Sequence, residues 1–312
     1  MLSLLLGRLA GVALTIAATG SAAAPALVHA SQSVPACFAA AARDPGHPCS
    51  NPQLRTTVVP TPVEARTQRN SPCATLEKRD LLFVCGFGAP PAQATATIAL
   101  IGDSHAAHWR AALDVVARAN GWAGISLSHT GCPLSQATKN LPQPRRNECV
   151  RWNREVHEWL DQHPEITTVF VSQISGGVGV VARGRNQLAA QRAGYRAAWR
   201  ALPQSVGRIV VLRDTPKAHG HTDMCVQRAI EHRRRTDIAC RVARRDALTE
   251  DSAATAARAL HSERVTVVDL TRFFCDRSWC HPVIGGALVL KDQTHMTETF
   301  SRSLGPYLLR AL

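Results

Sequence analysis

The 312-residue chain is poor in aromatic residues, which make up 5% of it, and short of acids, with 23 Asp and Glu against 36 Lys and Arg. Beyond its first 30 residues no stretch is long and apolar enough to span a bilayer as a helix, which excludes a helical multi-span membrane protein. No G-x-S-x-G pattern is present, so the nucleophile elbow of the α/β-hydrolases is absent. No Cys-x2–4-Cys motif recurs, and Cys275-x4-Cys280 alone comes near that spacing, which argues against structural zinc. No internal repeat is visible.

The shortage of acids leaves a formal charge of +13. Residues 1–30 combine the largely apolar run Leu2–Ala18, broken only by Arg8, with the Ala-x-Ala-like end Val28-His29-Ala30. That is the pattern of a secretory signal, with an uncleaved membrane anchor as the alternative. Its removal would take away one Arg and no acid, leaving +12. A basic exported protein is suited to anionic surroundings such as cell-wall polymers or lipid headgroups rather than to nucleic acid. The densest basic run, His232-Arg233-Arg234-Arg235 followed by Arg241, Arg244 and Arg245, also fits a solvated helix face.

Ten cysteines fit an oxidising compartment and fall into neighbouring pairs: Cys37 and Cys49, Cys73 and Cys85, Cys132 and Cys149, Cys225 and Cys240, and Cys275 and Cys280. Spacing does not prove connectivity, but pairing of neighbours is the simplest arrangement. Each closed loop would then stabilise the fold by ~2–3 kcal/mol in the chain-entropy account. The chain divides into the signal or anchor (1–30), a Cys- and Pro-rich extension with little periodicity (31–95), and a main domain (96–312).

From residue 96 the pattern alternates. Strands are expected at Thr97–Ile101, Ala123–His129, Thr167–Ser172, Arg208–Arg213 and, last, Val265–Asp269. Helices are expected at Ala106–Asn120, Asn147–His163, Arg185–Leu202 and Ala247–His261, with a terminal helix after them. Short apolar strands between amphipathic helices indicate an α/β domain with a mainly parallel sheet. Ligands of such sheets bind at the C-terminal ends of strands, where Ser104, Gly131, Gly176 and Asp214 all fall.

One of these corners carries chemistry. Ile98-Ala-Leu-Ile-Gly-Asp-Ser-His-Ala106 runs four apolar residues into Gly102-Asp103-Ser104-His105, and a helix follows at once. A serine held at a strand-to-helix corner is accessible, and the helix N-terminus offers N–H groups and a positive dipole end. An isolated serine there serves equally well as a helix cap. Near the C-terminus, Lys291-Asp292-Gln293-Thr294-His295-Met296-Thr297 places an acid three residues before a histidine, so the two can hydrogen-bond within one turn. A serine needs such a base, and the base needs a partner that fixes its tautomer. The alternative is a helix-capping Asp292 and a surface His295.

These residues resemble the SGNH/GDSL hydrolase superfamily. More narrowly, the chain is similar to the SGNH domain at the C-terminus of membrane-bound acyltransferase-3 proteins over about residues 37–310. Further points of similarity are Ser128-His-Thr-Gly-Cys-Pro133, the strand Val210-Val-Leu212 before Asp214-Thr-Pro216, the Cys225/Cys240 pair, and Asp269-Leu270 before Cys275. The resemblance implies a three-layer α/β/α sandwich, with Ser104 as nucleophile, His295 as general base and Asp292 as its orienter; Asp103 is not expected to be the triad acid. It places the backbone N–H groups of Ser104 and Gly131 in the oxyanion hole. The hole's usual asparagine is missing from Val169-Phe-Val-Ser-Gln-Ile-Ser-Gly-Gly177, where Gln173 or Ser175 could substitute, or the hole has two donors. The upstream membrane acyltransferase domain is not in this sequence.

The function expected from this resemblance is that of an extracytoplasmic O-acyltransferase or carbohydrate esterase, without cofactor or metal, acting on a cell-envelope carbohydrate. A separate membrane acyltransferase-3 protein is a candidate partner; the sequence leaves the oligomeric state open. Two other functions use the same features. A glycan-binding module with a decayed site would explain the missing Asn. A metallophosphoesterase would use Asp103-x-His105 with His219-Gly-His221-Thr-Asp223, but its Gly-Asn-His and second Gly-Asp signatures are absent. His105 and His108, three apart on the first helix, are read as a polar helix face with His105 lining the site, with metal ligation as the alternative.

Overall fold

The computed structural model describes residues 34–69, 73–184 and 186–312. The signal-like segment 1–30 lies outside the described residues. Along the chain come α1 (Pro62–Thr67), β1 (Ala74–Arg79), β2 (Leu82–Gly88), β3 (Ala96–Gly102), α2 (Ser104–Asn120), β4 (Trp122–Ser128), α3 (Arg145–Asp161) and β5 (Ile166–Ser172). Then follow α4 (Gln187–Arg200), β6 (Arg208–Leu212), α5 (Thr222–Glu231), α6 (Thr236–Ala239), β7 (Val242–Ala243), α7 (Arg244–Ala247), α8 (Ser252–Arg258) and β8 (Val265–Val268). The chain closes with β9 (Trp279–Cys280), β10 (Val283–Ile284), β11 (Ala287–Leu288), α9 (Glu298–Ser303) and α10 (Gly305–Ala311).

Seven strands form one sheet in the order β1-β2-β4-β3-β5-β6-β8. The five from β4 to β8 are parallel, and β2 joins β4 antiparallel. Alternation along each strand sends side chains to opposite faces. Ile98, Leu100, Phe170, Val210 and Leu212 pack on one face with Trp109, Leu113, Val116, Phe300, Leu304 and Leu308. Ala99, Ile101, Val169, Val171, Ile209 and Val211 pack on the other with Trp152, Val156, Leu160, Tyr195 and Trp199. A sheet buried on both sides needs apolar residues at consecutive positions, which is why Ile98–Ile101 reads as an unbroken apolar run. The result is the three-layer α/β/α sandwich, with α2, α9 and α10 on one face and α3, α4 and α8 on the other. Residues 35–312 cluster as one compact unit. Among the described residues, no helix is long and apolar enough to cross a membrane.

Three sequence expectations are corrected. Residues 74–88, expected to be irregular, form the hairpin of β1 and β2 and extend the central sheet. β1 is an edge strand that is mostly exposed, so its polar run Glu77-Lys78-Arg79 carries no apolar alternation to reveal it. The helix expected over Ala247–His261 is only α8, Ser252–Arg258: α7 ends at Ala247, and Asp251, which accepts hydrogen bonds from the N–H groups of Ala253 and Ala254, starts a new helix after it. Val265–Asp269 is not the last strand, since three two-residue strands follow it.

The cysteines are bonded as neighbours: Cys37 with Cys49, Cys73 with Cys85, Cys132 with Cys149, Cys225 with Cys240, and Cys275 with Cys280. Each bridge closes a local piece of chain. Cys49 returns to Cys37 around the short 3-10 turn Ala39–Arg43, with the two Cα atoms 5.7 Å apart. Cys85, buried in β2, holds Cys73 at the start of β1, at a Cα separation of 5.1 Å. Cys240 ends α6 and ties it to Cys225 in α5, at 5.9 Å. Separations of about 5–6 Å are those a disulfide spans without moving the backbone. All ten cysteines therefore belong to the scaffold, and none supplies a free thiol or thiolate ligand.

Candidate active site

Ser104 is the first residue of α2, and the cap is Asp103, not the serine. The buried Asp103 carboxylate accepts the N–H of His105 at 2.8 Å and that of Ile174 at 3.0 Å. Burial raises its pKa against these bonds and the His105 charge. With the cap supplied by Asp103, the Ser104 hydroxyl is left to other partners. Gly102 makes the corner feasible: its φ is +153°, and a Cβ there would lie 1.9 Å from the Ser172 carbonyl oxygen.

The Ser104 Oγ donates to His295 Nε2 at 2.8 Å. The other ring nitrogen, Nδ1, faces Asp292 Oδ2 at 2.8 Å. A carboxylate only accepts, so the ring proton belongs on Nδ1 and the Nε2 lone pair faces the serine. The Asp292 turn organises itself, because its Oδ1 also accepts the N–H groups of Thr294 and His295, each at 2.8 Å. Burial pushes the Asp292 carboxyl up, but the His295 bond and these two N–H groups prevail and hold it well below the usual carboxylate range. Ser104 and His295, 191 positions apart in sequence, meet here through α2 on one side and the segment entering α9 on the other.

The parallel register sets the flanks. Gly102 is opposite Ser128 on one side and Ser172 on the other, which brings the turns after β4 and β5 alongside the serine corner. The His129 N–H donates to the Gly102 carbonyl at 3.1 Å. Gly131, at φ +75°, sits in the turn between His129 and Cys132, and the Cys132–Cys149 bond pins that turn to α3. On the other flank, the two candidate third donors separate. Both donors of Ser175 are engaged, its N–H and its hydroxyl going to Asp214 Oδ2 at 2.6 and 2.8 Å. That corrects the expectation that Ser175 could serve the oxyanion. Gln173 is buried, its Nε2 has no partner, and it lines a cavity with Pro133, Ser135, Lys139 and Tyr195. Gly176 lies against Lys217 and Thr249.

The metallophosphoesterase ligand set does not assemble. The Asp103 carboxylate is spent on backbone N–H groups, and Asp223 pairs with Arg66 at 2.7 Å. His105, read from sequence as lining the site, is instead fully buried and hydrogen-bonds through Nδ1 to Asp214 Oδ1 at 2.5 Å. Burial opposes the His105 charge, but the Asp214 carboxylate outweighs it and raises the pKa. Asp214 was placed by sequence only as a residue after a strand end, and its partners were not legible.

Fold and site together define a three-layer α/β/α domain that carries a Ser-His-Asp constellation at the C-terminal edge of its parallel strands. The model of the SGNH domain (fused to AT3 domains) matches residues 72–310, and the chain belongs to that family. Among solved structures, the periplasmic domain of the lipopolysaccharide acetyltransferase of Salmonella ser. Paratyphi A has a similar fold. That likeness has a TM-score of 0.53 at 12% identity and covers 70% of this chain and 85% of that one. No curated protein matches the sequence significantly.

Proposed function

We propose that this chain is an extracytoplasmic serine-dependent acyl-ester enzyme that adds O-acetyl groups to, or removes them from, a cell-envelope carbohydrate. The observation that carries the reading is the continuous line Ser104 Oγ–His295 Nε2 and His295 Nδ1–Asp292, at 2.8 Å for each contact. His295 takes the Ser104 proton as Oγ attacks the acyl carbonyl, and Asp292 stabilises the imidazolium that forms. The N–H of Ser104, at the N-terminus of α2, and that of Gly131 receive the oxyanion, with the Gln173 amide as a third donor. Collapse breaks the ester C–O bond, and the leaving alkoxide takes the proton from His295. The acyl-Ser104 ester is then attacked by a sugar hydroxyl or by water, deprotonated by His295, which restores the serine. No step calls for a cofactor or metal. Family kinship with domains fused to AT3 supports a separate membrane acyltransferase as the acyl donor for the transfer reaction. The similar solved structure, the periplasmic domain of a lipopolysaccharide acetyltransferase, is in keeping with a glycan acceptor outside the cytoplasm.

The test is Ser104→Ala. Wild-type protein is expected to hydrolyse p-nitrophenyl acetate and to be labelled at Ser104 by a serine-directed fluorophosphonate, and the variant to do neither. Equal turnover by the two, or loss of activity on adding a chelator, would overturn the assignment. An unlabelled and inactive wild type would favour a glycan-binding module.

A further inference from the structure

Behind the triad lies a set of buried polar groups that the acyl-transfer steps do not use. His105, His108, Asp214 and Thr215 are 0%, 2%, 4% and 3% exposed. A buried polar group is costly unless it is bonded, so such a cluster needs a reason. Its bonds show a pattern. His105 follows Ser104 directly, and its Nδ1 is bonded to Asp214 Oδ1. Thr215 follows Asp214, and its hydroxyl donates to the Thr294 carbonyl at 3.3 Å. Thr294 precedes His295, which returns to Ser104. Three side-chain hydrogen bonds and three peptide links therefore close a ring through Ser104, His105, Asp214, Thr215, Thr294 and His295. A second tie runs parallel to it: the N–H of Met296, the residue after His295, donates to His108 Nδ1 at 3.3 Å, one turn along α2 from Ser104.

We propose that this ring is a positioning brace for the triad, with Thr215 and His108 as the residues that hold the His295 segment at hydrogen-bond distance from Ser104. The inference rests on the triad reading above and deepens it. Asp214 is the anchor, because it takes four hydrogen bonds: from His105, from the Thr215 N–H, and from the N–H and hydroxyl of Ser175. The brace is needed because Asp292 and His295 sit on a partly exposed turn whose own hydrogen bonds fix the turn internally but not its distance from α2.

His105, His108 and Asp214 each offer a ligating atom within 4.8 Å of the others, but their bonding does not suit an ion. The Asp214 oxygens are already occupied. His108 Nδ1 accepts from Met296, and burial pushes this imidazole well below its usual range, so the neutral ring carries its proton on Nε2 and has no lone pair to give there.

The experiment is a conservative-rescue pair in the full chain. Thr215→Val keeps the shape and removes the hydroxyl; Thr215→Ser restores it. Fluorophosphonate labelling rates and the kcat and KM for p-nitrophenyl acetate are measured per folded molecule, alongside melting temperatures. Thr215→Val is expected to lose roughly ten- to hundredfold in kcat and labelling rate with KM unchanged. Thr215→Ser is expected to stay within about twofold of wild type, since the retained hydroxyl can keep the geometry on which that rate depends. If Thr215→Val does not fold, His108→Leu against His108→Asn asks the same question, since the Asn oxygen can take the place of Nδ1. Lower melting temperatures with wild-type labelling rates would overturn the brace and leave the triad standing. A wild type that is never labelled at Ser104 would overturn the triad reading and the brace with it.

Discussion

On the proposed triad, replacing Asp292 by Asn should abolish the acyl-ester activity while barely disturbing the fold, and the local bonding gives the reason. Asp292 Oδ1 accepts two backbone N–H groups at 2.8 Å and Oδ2 faces His295 Nδ1 at 2.8 Å. In Asp292→Asn the amide oxygen keeps the place of Oδ1. Turning the amide round would set its NH2 against the N–H groups of Thr294 and His295, each conflict costing ~1–3 kcal/mol. The NH2 therefore faces His295 Nδ1, which must become an acceptor. The ring proton moves to Nε2 and points at Ser104, so the base is lost although every heavy atom stays in place. In Ser-His-Asp triads a wrong tautomer of this kind costs about 10⁴-fold in kcat, or roughly 5 kcal/mol of activation free energy. The Asp292 side chain is 50% exposed, so its contribution to stability stays below about 1 kcal/mol. The assay is p-nitrophenyl acetate turnover and fluorophosphonate labelling, with thermal melts as the control. A folded Asp292→Asn protein that keeps more than about a tenth of wild-type kcat/KM would refute the tautomer argument.

Gly102→Ala should destabilise the protein as well as the site, because its Cβ would meet the Ser172 carbonyl at 1.9 Å and push β5 from β3. A cost of about 3 kcal/mol corresponds to a fall of roughly 6–12 °C in melting temperature, and a fall under about 2 °C would contradict it. Asp276 gives a test in pH. Burial raises its pKa, but the His281 bond at 2.8 Å and the N–H groups of Ser278 and Trp279 lower it further, to about 2. Its folded pKa is depressed, so its stabilisation is complete above the unfolded value near ~3.9 and is lost as pH falls through about 2. The melting-temperature gap between wild type and Asp276→Asn should be widest near pH ~5 and close toward pH ~2. The side chain is 43% exposed, so the gap amounts to less than about 1 kcal/mol. A gap that grows on acidification would contradict the assignment.

Much of the candidate site was readable because its bonding is local. Asp292 and His295 are three residues apart and bond within one turn, and the strand-to-helix corner at Ser104 announces itself by an apolar run ending in Gly102. Even there the sequence allowed the serine to be the cap, and only the structure gives that task to Asp103. The hairpin of β1 and β2 was not readable, because an exposed edge strand needs no apolar alternation. Nor was the role of Ser175, since its partner Asp214 lies 39 residues on, past the end of the neighbouring strand β6.

By itself the sequence indicated the alternating α/β layers, made the pairing of neighbouring cysteines the simplest arrangement and offered Ser104, His295 and Asp292 as candidates, because periodicity, composition and short spacing follow from the local chain. Tertiary structure decided the rest. That Ser104 and His295 meet at 2.8 Å, that Asp214 gathers His105 and Ser175, and that Thr215 reaches the Thr294 carbonyl are contacts between residues 39 to 191 positions apart. They follow from sheet register and from how α2 and α9 pack on one face of it, and a long-range hydrogen bond leaves no period or spacing in the chain from which it could be read.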